Sequence, residues 1–233
     1  MAGAGPLLAS GRDADIFEYG PGLVLRRSRK GRSMAGEART MEYLRGHGYP
    51  VPAVEEISDD GTDLVMGRID GPSMVDYMSR RPWTIRHQGK VLATLHRRLH
   101  AIAPPDFLPA APVGVGDSFL HMDLHPLNVM ISAKGPVVID WPNAARGDPL
   151  VDLGLAWVLM AAGEIPSNPL IAMILGRGRA ALISGFLADV EADLDLLKHK
   201  LREVVGFKVG DPNMSPSEQR AMWQVVEKLE EPT

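Results

Sequence analysis

Alternating hydrophobic and polar residues mark most of the first 70 positions of the chain. The runs DADIFEYG and LVLRRS are separated by the turn sequence GPG, and AVEEIS and TDLVMGRI follow later, joined by a DDG turn. Alternation with a period of two is typical of strands that bury one face. Between these runs, Met34, Ala38 and Met41 recur at helical spacing. We therefore predict three strands, one helix and two further strands, which form a small, mostly antiparallel sheet.

After residue 70, the hydrophobic residues recur at helical spacing. The segment TIRHQGKVLATLHRRLHAI carries an apolar stripe, which consists of Ile85, Leu92, Leu95, Leu99 and Ile102. Asp148 and Pro149 have the chemistry of a helix cap and first turn, and they open a very apolar helix that we expect to end near Ala162. Further helical runs cover about 169–188 and 190–207. The sequence SPSE, from Ser215, predicts a capping box at the start of a last helix.

These elements predict an α+β fold with two lobes. The N-terminal lobe, residues 1–70, contains the antiparallel sheet and one helix. The C-terminal lobe, residues 71–233, is mostly helical. A hinge is predicted near residues 66–71.

A cluster of polar residues lies within FLHMDLHPLNVMISAKGPVVID, residues 119–140. His121, Asp123 and Asn128 come first, and two apolar runs joined by SAKG lead to Asp140. The apolar runs predict a hairpin, and because a hairpin returns its ends to one place, we expect Asn128 and Asp140 to be neighbours. Carboxylate and amide oxygens suit Mg²⁺. Asp123, in the same loop, is placed to accept the proton of a hydroxyl.

Asp and Asn are also common turn formers, so either Asp123 or Asn128 alone would indicate only a turn. The full pattern is more specific, because H-x-D-x-x-x-x-N, a hairpin and I-D-W all agree. It follows the division of labour of phosphoryl transfer, in which one Asp accepts a proton while an Asn and a later Asp hold the metal.

At these residues the chain resembles the aminoglycoside phosphotransferase family of the protein-kinase-like fold. HMDLHPLNVMIS, PVVIDW and GDPLVDLGLAW are similar to that family's catalytic loop, metal-binding strand end and following helix. SGRDADIFEYG, LVLRR, GEARTMEYLRGHGYPVP and LVMGRIDG are similar to its nucleotide-covering loop, third strand, helix and hinge. The resemblance covers about residues 7–162, and the remainder only loosely.

The resemblance implies that the N-terminal lobe, residues 1–70, binds nucleotide and that the C-terminal lobe, residues 71–233, carries the catalytic and acceptor sites. It also implies roles for particular residues. Asp123 would be the catalytic base, and Asn128 and Asp140 would hold Mg²⁺. Arg26 would contact phosphate, with Glu37 as its ion-pair partner. The residues implied in nucleotide binding also include Ser10, Gly11, Met66, Gly67 and Ile69, of which the last two would offer backbone groups to the base. The residues implied in supporting the catalytic loop are His121, His125 and Asp152.

The chain departs from the family pattern at three points. Met122 stands in the catalytic loop where Gly is common, and Arg26 replaces the more familiar Lys. An Arg is always charged and can bind two phosphate oxygens at once, so it is compatible with function. The nucleotide-covering loop has only Gly11, although a turn of backbone N–H groups can still bind phosphate. No GxxxxGK sequence is present, which argues against a P-loop enzyme.

Composition narrows the classes of function. The 233 residues have a net charge of −4 and no cysteine. Without a basic excess, nucleic acid is not expected as a partner. The N-terminal MAGAGPLLAS lacks the pattern of a signal peptide, and no apolar run is long enough to span a bilayer, so we expect no membrane association and a cytoplasmic protein. Nothing in the sequence indicates an oligomeric state.

We therefore predict a small-molecule kinase, a phosphotransferase with an alcohol group as acceptor. It would move the γ-phosphoryl group of ATP or GTP to an aminoglycoside-like antibiotic, a nucleoside, a sugar or a related metabolite. A protein kinase is disfavoured, because only seven residues separate Asp140 from Asp148, too few for a peptide-docking activation segment. The alternative is a catalytically weak nucleotide- or ligand-binding module of the same fold. A metal-dependent hydrolase would require more His and Asp ligands.

Two further groups allow more than one interpretation. His96 and His100 have a spacing that can bind zinc, but no third ligand is evident in the sequence, which favours a packed helix face. The acidic run DVEADLD, from Asp189 to Asp195, is either a solvated helix face or an acidic wall that attracts a cationic substrate.

Overall fold

A computed structural model describes residues 4–11, 13–162, 169–211 and 214–230. The chain divides into two compact units, each made of two segments. The first unit contains Met1–Pro72 and Val129–Asn143, and the second contains Ser73–Asn128 and Ala144–Thr233. These units are discontinuous in sequence, whereas the sequence prediction placed a single boundary after residue 70.

The elements follow in chain order. The strands are β1 (Leu7–Ser10), β2 (Ala14–Glu18), β3 (Leu23–Ser28), β4 (Val54–Ile57), β5 (Asp63–Gly67), β6 (Ser118–Leu120), β7 (Val129–Ser132), β8 (Gly135–Val138) and β9 (Ala145–Gly147). The helices are α1 (Ala35–Gly46), α2 (Met74–Arg80), α3 (Ile85–His100), α4 (Pro149–Ala162), α5 (Pro169–Leu187), α6 (Leu194–Lys208) and α7 (Pro216–Glu230).

The first unit is built on an antiparallel sheet in the order β1-β2-β3-β5-β4. Leu25 of β3 and Leu64 of β5 are fully buried, as are Met41 and Leu44 of α1. Burial of these apolar side chains stabilises the unit, because it removes hydrocarbon surface from water. The predicted sheet with one helix is confirmed.

The hairpin β7–β8 also belongs to the first unit. Its strands are antiparallel with Val129 opposite Val138, as predicted. Two backbone hydrogen bonds attach it to the unit's other segment, from Ile131 N to Pro72 O and from Val138 N to Pro50 O, each 2.8 Å long. Strand β8 ends at Val138, so the prediction that Asp140 ends this strand placed its end two residues too late. Asp140 has φ 69°, a left-handed conformation that no strand continues through.

The second unit contains helices that the apolar periodicity predicted. Leu92, Leu95 and Leu99 of the α3 stripe are buried, and α4 is buried nearly all round. α3 and α5 pack at backbone contact, because a methyl group on Gly185 would collide with the carbonyl oxygen of Arg86. Glycine at this crossing therefore permits an approach that any other residue would prevent.

Helix caps in the second unit agree with the sequence. The Asp148 carboxylate accepts a 2.9 Å hydrogen bond from Leu150 N at the start of α4. At the start of α7, Ser215 N donates to the Glu218 carboxylate over 2.7 Å, and Glu218 N donates to Ser215 Oγ over 3.2 Å. This reciprocal pair is the predicted capping box.

Two features were not predicted. α2 is a seven-residue helix capped by Ser73, whose Oγ accepts a hydrogen bond from Asp76 N. Strands β6 and β9 pair over three residues each. Such short elements contain too few residues for a hydrophobic period to be visible. Among the described residues, no helix is long and apolar enough to cross a membrane.

Candidate active site

The predicted catalytic loop follows β6 and holds Asp123 and Asn128 close together. A 3₁₀ turn, Pro126–Asn128, ends the loop. The side-chain amide of Asn128 donates to the backbone oxygen of Asp123 over 2.9 Å and lies 3.3 Å from its Oδ2. Because the Nδ2 group is used in this way, the Oδ1 atom of Asn128 is the part of the amide left to bind a metal. The loop thus presents a carboxylate and an amide oxygen.

Asp152, the first acidic residue of α4, supports this loop. It is fully buried, and its carboxylate accepts hydrogen bonds from two consecutive backbone groups, Met122 N over 2.7 Å and His121 N over 3.2 Å. A buried carboxylate that accepts several donors holds their geometry, because displacing any donor leaves a buried polar group unsatisfied. His121 is also fully buried.

Met122 has a left-handed backbone, with φ 66°. Only glycine adopts this conformation without steric cost, which accounts for the frequent glycine at this position in the family pattern. The Met122 side chain is 4% exposed and packs in a cluster with Leu120, Val151, Leu155 and Val204. The side chain therefore lies in the core, and its packing offsets the cost of the backbone conformation.

Replacing Met122 tests this balance. We expect Met122→Gly to lower the free energy of unfolding by about 1–3 kcal/mol, because loss of the buried side chain outweighs relief of the left-handed backbone. Met122→Ala removes nearly the same side chain but keeps the backbone cost, so it should be the less stable variant by about 1 kcal/mol. Urea unfolding of both variants measures this order. An alanine variant more stable than the glycine variant would contradict the proposed cost.

Asp123 is a partly buried carboxylate with a cation beside it. Lys208 Nζ, at the end of α6, lies 3.0 Å from Oδ1, and His125 Nε2 lies 3.7 Å from Oδ2. Burial alone would raise the pKa of Asp123, but the neighbouring His125 and the charge of Lys208 outweigh it and lower the pKa to about 2. Asp123 is therefore ionised throughout the neutral range.

His125 also contacts the loop itself. Its Nδ1 lies 3.4 Å from Leu127 N, and its backbone oxygen accepts a 2.9 Å hydrogen bond from Asn128 N. These contacts are of the kind that hold a loop, and the loop-supporting role of His125 stays a prediction.

In the first unit, Arg26 on β3 joins two carboxylates. Its guanidinium forms an ion pair with Glu37 of α1, and its Nη2 donates to Asp140 Oδ1 over 2.8 Å. Glu37 is buried and also accepts a 3.2 Å hydrogen bond from Trp141 N. Burial raises the pKa of Glu37, although the positive charge of Arg26 opposes this. The Asp140 side chain is 40% exposed, which leaves it accessible to a ligand.

The other residues expected to bind nucleotide also belong to the first unit. Ser10 ends β1 and donates to Asp15 Oδ1 over 2.5 Å, and Gly11 N donates to Ala14 O, so both residues bond to the start of β2. Met66 and Gly67 end β5, and the N–H of Gly67 already donates to the backbone oxygen of Ala53. Within the described part of the chain, the backbone N–H and C=O of Ile69 have no hydrogen-bond partner. Ile69 is therefore better suited than the N–H of Gly67 to bind a nucleotide base.

His96 and His100 converge on Asp152, a third possible ligand that the sequence did not reveal. His100 Nε2 lies 3.1 Å and His96 Nδ1 3.4 Å from the same carboxylate oxygen, and all three could in principle hold a metal ion. That carboxylate already accepts two backbone hydrogen bonds from the catalytic loop. Burial raises the pKa of Asp152, but the hydrogen bond with His100 and the nearby His96 outweigh it and hold the pKa well below its usual value. The contacts fit a packed, loop-supporting cluster.

His96 makes stability depend on pH. It is fully buried, and burial lowers its pKa below 6.5 despite the nearby Asp152. The unfolded chain therefore binds a proton on His96 at a higher pH than the folded chain does. We expect the free energy of unfolding to fall as the pH falls from about 7.5 to 5.5, by at most about 1.4 kcal/mol per pH unit from this group.

Urea unfolding across this pH range measures the slope. His96→Gln should reduce it, because glutamine does not titrate, whereas substitution of the exposed His199 by glutamine should leave it unchanged. Equal slopes in the wild-type protein and the His96→Gln variant would contradict the prediction. Asp152 does not confound the test, because its stabilising effect is lost only below about pH 4.

The acidic run near α6 is occupied by local contacts. Asp193 caps α6, with its Oδ1 accepting from Asp195 N over 2.8 Å, and Glu191 pairs with Arg97 over 3.1 Å. Asp195 pairs with Lys198 over 3.1 Å. These contacts favour the interpretation of a helix cap and solvated ion pairs over that of an acidic wall.

Lys208 is the residue near Asp123 that sequence reasoning missed. It lies far from the predicted catalytic motif in sequence. A lysine at the end of an amphipathic helix is usually interpreted as a cation that stabilises the helix C-terminus. The sequence carries no local signal of its contact with Asp123.

The sequence matches a known family of enzymes over most of its length. The sequence profile of the phosphotransferase enzyme family matches residues 6–114 and 107–188. A thiamine kinase of Escherichia coli (strain SMS-3-5 / SECEC) is 39% identical over 62 residues, which are 27% of this chain. The match spans only about a fifth of that kinase's length.

Solved structures share the fold at low sequence identity. A choline/ethanolamine kinase family protein from Mesorhizobium loti is 17% identical with a TM-score of 0.61, covering 98% of this chain and 89% of its own. The amicoumacin kinase hAmiN in complex with AMP-PNP, Ca²⁺ and Ami is 16% identical with a TM-score of 0.55, covering 96% of this chain and 88% of its own. An aminoglycoside-3'-phosphotransferase of type VIII is 18% identical with a TM-score of 0.53, covering 94% of this chain and 90% of its own.

The family match covers most of the chain. The chain belongs to the phosphotransferase enzyme family and has its protein-kinase-like fold. The family that the sequence resemblance indicated is therefore confirmed.

Proposed function

We propose that this kinase transfers the γ-phosphoryl group of ATP or GTP to a hydroxyl of a small molecule, with Asp123 as the residue that orients the hydroxyl and accepts its proton. The observation that carries the proposal is the state of Asp123. Its carboxylate is ionised and lies in a loop fixed from below by Asp152. Phosphoryl transfer depends chiefly on positioning and on charge stabilisation, so a fixed, weakly basic carboxylate suits it.

The nucleotide would be bound by the first unit. Arg26, held by buried Glu37, supplies a permanent positive charge for the phosphates. The turn at Ser10 and Gly11 would cover the phosphates, while Met66, Gly67 and Ile69 would line the base. The hydrogen-bonding groups of Ile69 support its part in this proposal.

Mg²⁺ would be held by Asn128 and Asp140 together with phosphate oxygens. The donor set fits this ion, because both residues offer hard oxygen atoms and Asp140 is accessible. Bound there, Mg²⁺ would offset the charge that develops on the phosphates. Asp123 is not assigned to the metal, so its carboxylate remains available to the acceptor hydroxyl. That carboxylate contacts Lys208 and the side-chain amide of Asn128.

The acceptor would be a hydroxylated small molecule: an aminoglycoside-like antibiotic, a nucleoside, a sugar or a related metabolite. The names of the similar proteins include thiamine, choline and antibiotic kinases, so resistance and metabolic roles both have precedent in the family. A nucleoside triphosphate as donor favours action in the cytoplasm, and neither a membrane nor a nucleic acid is required for this chemistry.

Transfer from γ-labelled ATP and GTP to a library of hydroxylated compounds tests the proposal. We expect label to appear in at least one small-molecule product when Mg²⁺ is present and to disappear when EDTA removes the metal. Nucleotide binding without turnover on any acceptor would instead support a catalytically weak binding module. Label transferred in EDTA would overturn the part assigned to Asn128 and Asp140.

A further inference from the structure

Lys208 holds one oxygen of the Asp123 carboxylate. Its Nζ lies 3.0 Å from Oδ1, within the range of a charge-assisted hydrogen bond. The other oxygen, Oδ2, is 3.3 Å from Asn128 Nδ2, which also donates to the backbone oxygen of Asp123. His125 Nε2 is 3.7 Å from Oδ2, which is too long for a hydrogen bond. The contact with Lys208 is therefore the strongest of these three.

The orientation of the Asp123 carboxylate depends on such contacts. Asp152 holds the backbone just before Asp123, through His121 N and Met122 N, but it does not fix the plane of the Asp123 side chain. The last torsion of an aspartate has a broad energy minimum, so only partners at the oxygens themselves define that plane. A carboxylate offers about four lone-pair sites. Partners at both oxygens can therefore fix the plane and still leave a site for the hydroxyl.

The surroundings of Lys208 differ from those of an ordinary lysine at a helix end. A lysine that only stabilises a helix C-terminus keeps its ammonium group in water. The Lys208 side chain is 12% exposed, and its ammonium group lies between Asp123 Oδ1 and Asp211 Oδ2, 3.5 Å away. Burial of a charge costs free energy unless carboxylates pair with it, so these two carboxylates hold the ammonium group in place.

The contact comes from a part of the chain beyond the family match. That match ends at residue 188, whereas Lys208 ends α6. Lys208 and Asp123 both belong to the second unit. The helix α6 thus adds a cation of its own to the loop that carries Asp123.

We propose that Lys208 is a positioning residue for phosphoryl transfer, which holds the Asp123 carboxylate in the orientation that accepts the proton of the acceptor hydroxyl. This inference rests on the proposed function of Asp123. The proton passes from the hydroxyl to Asp123 as the acceptor oxygen bonds to the γ-phosphorus and the bond to the leaving nucleoside diphosphate breaks. Lys208 itself neither gains nor loses a proton in this step.

Lys208→Met removes the charge and keeps most of the side-chain length. We expect kcat to fall about 10–100-fold, because a displacement of about 1 Å in a reacting group can cost about a hundredfold in rate. The KM for nucleotide should change by less than about twofold, since an interaction made only in the transition state affects kcat alone. Lys208→Arg should be at least about fivefold faster than Lys208→Met, because a guanidinium also donates a charged hydrogen bond.

A double-mutant cycle separates positioning from a general structural role. In the Asp123→Asn enzyme the carboxylate that Lys208 positions is already gone. Adding Lys208→Met to that enzyme should therefore lower kcat by less than about a further twofold, because residues that act as a unit are not additive. A Lys208 that only stabilised the fold would lower kcat by the same factor with and without Asp123.

Lys198→Met is the matched control, because Lys198 lies on the same helix and pairs with Asp195. It should keep the wild-type kcat, and thermal unfolding followed by circular dichroism checks that each variant folds. Lys208→Gln repeats the comparison with a neutral polar side chain if Lys208→Met does not fold.

Two results would overturn the role of Lys208 alone. One is a neutral Lys208 variant that keeps more than about half of the wild-type kcat while Asp123→Asn loses activity. The other is an equal loss with and without Asp123. If Asp123→Asn keeps the wild-type rate, or if the wild-type enzyme phosphorylates no acceptor in the library, the proposed function fails and the role of Lys208 fails with it.

Discussion

Asp123→Asn should lower kcat for phosphoryl transfer by about 10²–10⁴-fold while leaving the protein folded. Asparagine matches aspartate in shape, so the loop and its packing are retained. It cannot accept the hydroxyl proton, and its amide would meet the donors of Lys208 and Asn128 without the charge that attracts them. Steady-state rates at saturating nucleotide and acceptor give kcat, and thermal unfolding followed by circular dichroism checks the fold.

Asp117→Asn is the control for this substitution. Asp117 lies in the same unit, its side chain is 83% exposed, and among the described residues its ion pair is with Arg146, 3.7 Å away. The control should keep the wild-type rate. An Asp123→Asn enzyme that retains more than about a tenth of the wild-type kcat would show that Asp123 does not take part in the chemistry.

Asp152→Ala should lower the free energy of unfolding by about 3–5 kcal/mol. The carboxylate is fully buried and accepts hydrogen bonds from Met122 N, His121 N and His100. Its removal leaves these donors in a dry interior without an acceptor, which costs more than the hydrogen bonds themselves contribute. Urea unfolding measures the loss, and kcat should fall as well, because the loop that carries Asp123 loses its support.

Asp152→Asn separates charge from shape. The amide still offers one oxygen to the loop, so we expect a smaller loss of stability than for alanine. Asp70→Ala is the surface control, since the Asp70 side chain is 79% exposed, and it should change the free energy of unfolding by no more than about 0.5 kcal/mol. If Asp152→Ala were as mild as the surface control, the buried carboxylate would not be what fixes the loop.

Local patterns were enough to predict most of the fold. The apolar stripe of α3, the cap at Asp148 and the box at Ser215 each use only neighbours in sequence, and all three are present. α2 was missed because seven residues complete only two turns. The end of β8 was misplaced because the left-handed backbone at Asp140 is not encoded by an alternating pattern.

The candidate site was predictable only where its residues share a motif. Asp123 and Asn128 are five residues apart, so their hydrogen bond follows from the loop sequence. Lys208 reaches Asp123 from a helix 85 positions later, and such a contact arises from the packing of α6 rather than from local sequence. Met122 shows the same limit, since the sequence reveals the missing glycine but not that the side chain lies in the core.

The hairpin β7–β8 has a consequence for how the protein is made. A ribosome releases Met1–Pro72 first, yet the partners of Pro50 and Pro72 in the hairpin follow only after Ser73–Asn128 has been synthesised. The first unit therefore reaches its full set of hydrogen bonds only after the first segment of the second unit has been made. The first unit cannot complete its folding before synthesis of the second unit has begun.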